Sequence, residues 1–270
     1  GGTPTSVEKY AFVVQIIRSG ALACGGSLLT RQIVLTAAHC FFKNDVRIHI
    51  KYYTVLAGTT NNNSGGQRRE VTDLAIHTGY KPPAKDNDVA LLKTSSPFDL
   101  SVSICLATIP YKDNTIADNS SLTYLGWGLT KHGKSSVLME VSVSKINNDV
   151  CMRKYQTHPE NTFRVTQRML CAGQSGADAC NGDSGGPLVY HGSVVVGVTS
   201  WGVSCGDPNY PGVTTKVASY SDWINATVNV LHPLSSDDNA FDTGQLIWVF
   251  LIVAIALVGV IVTLLKKNLG

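Results

Sequence analysis

Three short stretches carry side chains that could do chemistry together. "LTAAHC" sets His39 beside Cys40, "DNDVALLK" sets Asp88 at the head of an apolar run, and "CNGDSGGPLV" sets Ser184 among glycines. A serine hydroxyl is a weak nucleophile at neutral pH and needs a base. Histidine has a pKa close enough to take that proton and return it. A carboxylate behind the imidazole would fix its tautomer and stabilise the transient imidazolium. In the order His, Asp, Ser the three form a nucleophilic-catalysis set. Gly182 precedes Ser184 by two, so its N–H and that of Ser184 can converge on a developing oxyanion. One such donor is worth roughly 3 to 4 kcal/mol in a well-studied analogue.

"TAAHC", "GDSGGP" and the "SWG" of Ser200, Trp201 and Gly202 resemble the chymotrypsin-like serine proteases, in their trypsin-like branch. The resemblance runs from Gly1 to about Leu231. It implies an all-β fold of two six-stranded antiparallel β-barrels packed side by side, with the catalytic cleft between them. It also implies a serine endopeptidase that works through an acyl-enzyme on Ser184. Ser200 should lie near Asp88, and the backbone of Ser200 to Gly202 should pair with substrate by strand addition. Asp178, six residues before Ser184, should form the floor of the primary pocket, with Gly202 and Gly212 as its open walls. A desolvated carboxylate at the end of an open shaft favours cleavage after Arg or Lys. Ala179 offers no hydroxyl to a lysine ammonium, whereas Arg reaches a carboxylate bidentately, so Arg is expected over Lys. Asp183 should pair with the α-ammonium of an activated chain.

The same resemblance implies disulfides Cys24–Cys40, Cys151–Cys171 and Cys180–Cys205, each contributing a few kcal/mol. Leu122 and Tyr190 occupy the positions of a further cysteine pair in many relatives. The segment from Cys151 to Cys171 is longer than in compact digestive trypsins, which hints at a restricted substrate edge. Cys105 is left over, either tied to a propeptide or a free buried thiol. Ala57 stands where calcium-binding relatives carry Glu, so neither metal nor cofactor is expected. Protein substrates and macromolecular protease inhibitors are the implied partners. A catalytically silent homologue used for binding or adhesion is the competing class, and such homologues usually lose part of the triad.

These groups need a scaffold. Gly is abundant, at 25 residues, and short apolar runs alternate with turn residues, which favours β-structure. "FVVQII", "IVLTAAH", "VALLK", "LTYLGWG", "LMEVSVSKI", "PLVYHGSVVVGVTSW" and "GVTTKVA" read as strands. Tyr220, Trp223, Ile224, Val228 and Leu231 recur at helical spacing and predict one amphipathic helix. No repeat of 20 to 50 residues is visible.

The chain has 270 residues, 44% hydrophobic and 15% charged, enough for one large domain or two small ones. A net charge of +3 is too weak to point to nucleic acid. Seven cysteines without a CxxC pair argue against zinc and thioredoxin chemistry. Three sequons begin at Asn62, Asn119 and Asn225, in keeping with an oxidising, extracellular setting.

Leu246 to Leu265 are uncharged and about 30 Å long as a helix, which matches the hydrocarbon core. Lys266 and Lys267 follow this span, so the bulk of the chain is expected outside the cell. The organisation expected is a protease domain over 1–231, a stalk over 232–245, a transmembrane helix over 246–265 and a cytoplasmic tail over 266–270. A GPI-attachment signal around Ser235, Ser236 and Asp237 is the alternative anchor. By the resemblance, Gly1-Gly2 stand third and fourth in a mature start. The chain as given is therefore expected to lack a signal peptide, a propeptide and the activating amine, and to be zymogen-like with little activity by itself.

Overall fold

The computed structural model describes residues 2–158, 164–174, 176 and 178–232. Six strands close a first antiparallel barrel: β1 (Val13–Arg18), β2 (Ala21–Leu28), β3 (Ile33–Thr36), β4 (Tyr53–Ala57), β5 (Gln67–Ile76) and β6 (Ala90–Thr94). Their order around the barrel is β1-β2-β3-β6-β5-β4. Six more make the second: β7 (Ser121–Gly126), β8 (Met139–Ile146), β9 (Met169–Gly173), β10 (Pro187–Tyr190), β11 (Val194–Trp201) and β12 (Gly212–Lys216). Here the order is β7-β8-β9-β12-β11-β10, the same as in the first barrel. The expected pair of six-stranded barrels is present. A two-residue strand, Thr3–Pro4, adds a seventh member to the second sheet along β8.

Local chemistry explains much of this. β1 is buried along five successive residues, so it reads as a continuous apolar run rather than an alternation. Its one buried polar member, Gln15, gives its amide to Asn61 O and accepts from Asn63 N–H. Ser19 and Gly20 turn β1 into β2 with φ values of 50° and 83°, as a right-twisted two-residue hairpin needs. β5 alternates half-buried and exposed residues from Gln67 to Glu70 before the buried Val71, and its polar sequence gives no apolar signal.

The helix expected near the end is α2 (Ser221–Leu231), whose Trp223, Ile224, Val228 and Leu231 join the main core. A second helix, α1 (Asn148–Gln156), was not expected from the sequence. Its signal is a cap: the Asn147 side chain accepts from the N–H groups of Asp149 and Val150. The loop over 58–66 is held by the second barrel. Asn62 Nδ2 donates to Ser135 O at 2.8 Å, and Leu138 N–H and Trp127 Nε1 both reach Thr60 O. Leu122 and Tyr190 pack in one apolar cluster, where relatives place a disulfide.

Among the described residues, no helix is long and apolar enough to cross a membrane. The expected span at 246–265, the tail and all of the stalk but His232 lie outside the described residues. So does Gly1.

Candidate active site

His39 sits in a single 3₁₀ turn, Ala38–Phe41, directly after β3. The disulfide Cys24–Cys40 ties that turn to β2. Asp88 lies two residues before β6, which pairs with β3, so His39 and Asp88 meet at one end of the first barrel. His39 Nδ1 is 2.7 Å from Asp88 Oδ2, and His39 N–H donates to Asp88 Oδ1 at 2.8 Å.

Asp88 is fully buried. Burial opposes its charge, but His39 and hydrogen bonds from His39 and Ser200 outweigh it and hold the carboxyl below its ordinary value. The donor Ser200 Oγ belongs to β11 of the second barrel. Thr215 Oγ1 of β12 donates to Asp88 O at 2.7 Å, a support the sequence did not reveal. A second hidden support comes from Tyr220, whose hydroxyl donates to Asn87 Oδ1 at 3.1 Å.

Ser184 lies in the turn that enters β10. Its carbonyl accepts from Gly25 N–H of β2 at 2.8 Å, so backbone from both barrels fixes the position of Ser184. That contact requires bare backbone: a Cβ on Gly25 would lie 2.9 Å from Gly186 Cα. His39 and Ser184 line one cleft of about 350 Å³. No hydrogen bond joins their side chains, and such contacts often tighten only when substrate binds.

Asp183 N–H is turned inward to Cys180 O at 2.9 Å. The N–H groups of Gly182 and Ser184, on either side of it, have no acceptor among the described residues. Gly182 has φ +104°, the left-handed backbone that makes this alternation accessible. Two free donors beside the nucleophile are what an oxyanion needs.

Asp178 lines the same cleft. Burial raises its pKa to about 7, against hydrogen bonds from the backbone of Ala179, Gly206 and Gly212. A Cβ on Gly212 would lie 2.3 Å from Asp178 Oδ1, so only glycine leaves the carboxylate accessible. Gly202 faces open space, its nearest neighbour being Gly212 Cα at 3.8 Å from a built Cβ. Cys180–Cys205 braces the loop carrying Asp178. Cys151–Cys171 fixes α1 to β9, and α1 in turn backs the pocket as Tyr155 packs edge-on against Trp201 at 4.7 Å.

Asp183 points away from the cleft. Its carboxylate accepts from Gly128 N–H at 2.8 Å and Cys180 N–H at 2.9 Å, and burial raises its pKa. It borders a cavity of about 610 Å³ that Gly2 and Pro4 also line. Cys105 carries a free thiol that is exposed rather than buried as the free-thiol alternative expected, because it follows the buried Ile104 out of the core onto the surface.

The sequence model of the family described as Trypsin matches residues 1–224. Trypsin alpha of Drosophila melanogaster is 37% identical over 232 residues, covering 85% of this chain and 87% of the relative. Trypsin beta of Drosophila erecta is 36% identical over 230 residues, covering 83% and 86%. A vitellin-degrading protease of Bombyx mori is 35% identical over 238 residues, covering 86% of each.

Proposed function

Because this chain belongs to the trypsin family and is a trypsin-like serine endopeptidase, we propose that it hydrolyses peptide bonds after Arg and, less readily, Lys at the cell surface. One observation carries the reading. The His39–Asp88–Ser200 network and Ser184 line one cleft, and Asp178 is the one carboxylate among that cleft's described lining residues.

The chemistry follows from the geometry. A basic side chain enters the shaft between Gly202 and Gly212 and pairs with Asp178, which sets the scissile carbonyl against Ser184. The substrate backbone lies along Ser200, Trp201 and Gly202. His39 Nε2 takes the Ser184 proton as Oγ attacks the carbonyl carbon. Asp88 holds the imidazole through Nδ1 and stabilises its positive charge. The N–H groups of Gly182 and Ser184 receive the oxyanion. His39 then protonates the leaving amine, and water repeats the sequence on the acyl-enzyme.

Asp183 serves activation in this reading. An α-ammonium delivered into its cavity would neutralise a carboxylate that burial disfavours as a charge. Anchoring rests on the apolar stretch 246–265, with a GPI signal as the alternative, and Cys105 is the candidate link to a propeptide.

A fluorophosphonate probe and matched peptides with Arg, Lys, Phe or Ala before the scissile bond test the catalytic part. The activated protein should label and Ser184→Ala should not. Turnover should rank Arg above Lys, with Phe and Ala near background. Equal rates on Arg and Lys would remove the Arg preference, and a correctly processed protein that fails to label would sink the catalytic assignment. Membrane fractionation tests the anchor. The full chain should pellet and resist an alkaline wash, residues 1–231 should not, and release by a phosphatidylinositol-specific phospholipase would favour the GPI form.

A further inference from the structure

Three successive residues just before β6 are each held from outside the first barrel. Asp86 accepts from Thr166 Oγ1 at 3.1 Å and from Arg168, whose Nε and Nη2 reach one carboxylate oxygen each. Asn87 Oδ1 accepts from Tyr220 Oη at 3.1 Å. Asp88 accepts from Ser200 Oγ and, at its carbonyl, from Thr215 Oγ1 at 2.7 Å. Asn87 itself has φ +58°, the left-handed backbone that asparagine tolerates better than most residues. Asp86 takes no part in the His39–Asp88–Ser184 set, yet it receives the two-pronged contact of this corner.

Arg168 is firmly mounted for that contact. It precedes β9 by one residue, and its carbonyl accepts from Lys216 N–H of β12 at 2.9 Å. Its own N–H donates to Thr166 Oγ1, the hydroxyl that also donates to Asp86. Asn148 in the first turn of α1 donates to Thr166 O at 3.1 Å and to Gln167 Oε1 at 3.2 Å. The next residue, Met169, lies opposite Thr215 in the β9–β12 ladder. One strand pair of the second barrel therefore grips Asp86 through Arg168 and Asp88 through Thr215.

Burial opposes a charge on Asp86, but hydrogen bonds from Arg168 and Thr166 and the guanidinium charge outweigh it and hold the carboxyl below its ordinary value. The other titratable groups facing the pair are His77 and Tyr220. Burial, with Arg168, lowers the His77 pKa, and burial raises that of Tyr220 to about 12, so neither carries charge near neutral pH. The side chains of Arg168 and Asp86 are 51% and 29% exposed, and ion pairs as open as this add little to folding stability. A fork of two hydrogen bonds nonetheless fixes geometry in a way a point charge does not.

We propose that Arg168 and Asp86 are positioning residues for catalysis. Their fork sets the corner over 86–88 against the second barrel, and so presents Asp88 Oδ2 to His39 Nδ1. This rests on the reading that His39, Asp88 and Ser184 do the chemistry.

The test uses the activated full-length enzyme on an Arg peptide. Arg168→Met and Asp86→Asn should each lower kcat about tenfold, because a small misplacement of a catalytic group is costly. KM should stay within about twofold, since ground-state binding is untouched. Melting temperatures should move by no more than about 2 °C. The double variant should be no slower than either single one, because the two side chains act as one device. Arg168→Lys keeps the charge without the fork and should recover only part of the loss. The pH profile of kcat separates position from charge. A loosened Asp88 stabilises the His39 imidazolium less, so the acidic limb should move to lower pH in both single variants. Charge alone would move it to lower pH in Asp86→Asn and to higher pH in Arg168→Met. Wild-type kcat in the folded single variants, or limbs that move in opposite directions, would overturn the proposal. If Arg168→Met does not fold, kcat of Asp86→Asn and the acidic limb of Arg168→Lys carry the decision. Wild-type enzyme that cleaves no peptide and takes up no fluorophosphonate would instead overturn the underlying reading.

Discussion

Asp178 is a carboxylate held in a pocket that disfavours its charge. Burial pushes its pKa from an ordinary 3.8 up to about 7, so a bound cation must first find the ionised form. Below about pH 7 a proton has to leave before a cation can pair, so benzamidine affinity should fall toward tenfold per pH unit. Calorimetry in buffers of different ionisation heats should show a proton released on binding at pH 6. Affinity that is flat from pH 5 to 8 would contradict it. The same group binds more protons folded than unfolded between about pH 4 and 7, so it makes the empty enzyme less stable as pH rises through that window.

Asp88 behaves in the opposite sense. Its pKa is held below the ordinary value, so the stability it contributes is fully present above about pH 4 and is lost only as pH falls through its folded pKa. Replacing its charge while keeping its shape leaves His39 in the wrong tautomer. Asp88→Asn should therefore lower kcat about 10⁴-fold with little change in KM, measured on an Arg peptide. Both aspartates were legible as candidates in the sequence, from "DNDVALLK" and from the register before Ser184. Their environments were not, because a pKa is set by what surrounds the group.

At the scale of elements, the site depends on two strands touching. Gly25 in β2 gives its N–H to Ser184 O and runs against Gly186, with no room for a side chain between them. Gly25→Ala should push the Ser184 turn away from His39. We expect a loss of about 1–3 kcal/mol in stability from the overpacking and a larger fall in kcat than in folding yield. Wild-type kcat and melting temperature would count against the contact. "ALACGGSL" did not read as a strand because two glycines and a cysteine hide its β character. β5 was missed for its polarity, α1 for its weak apolar face, and β4 and β9 for their brevity between polar flanks. The repeat of strand order in the two barrels leaves no periodic trace, since topology constrains connectivity and burial rather than residue identity.

At the scale of the whole molecule, the three sequons are not equivalent. Asn62 uses its side-chain amide to clasp the loop over 58–66 to Ser135, whereas Asn119 and Asn225 are exposed. In a secreting host, Asn119→Gln and Asn225→Gln should each increase gel mobility by one glycan, and Asn62→Gln should not. A glycan found on Asn62 would show that the clasp opens before folding is complete.

The sequence by itself offered His39, Asp88 and Ser184 as the candidate trio and Asp178 as the candidate pocket floor, and it indicated the disulfide partners by resemblance and the all-β class. Those signals are local: a few residues whose types only one chemistry requires. The tertiary structure decided which donors Asp88 accepts from and which N–H groups stay free at Gly182 and Ser184. Each of these depends on strands far apart in the chain meeting at a barrel edge, and a linear pattern carries no record of such meetings.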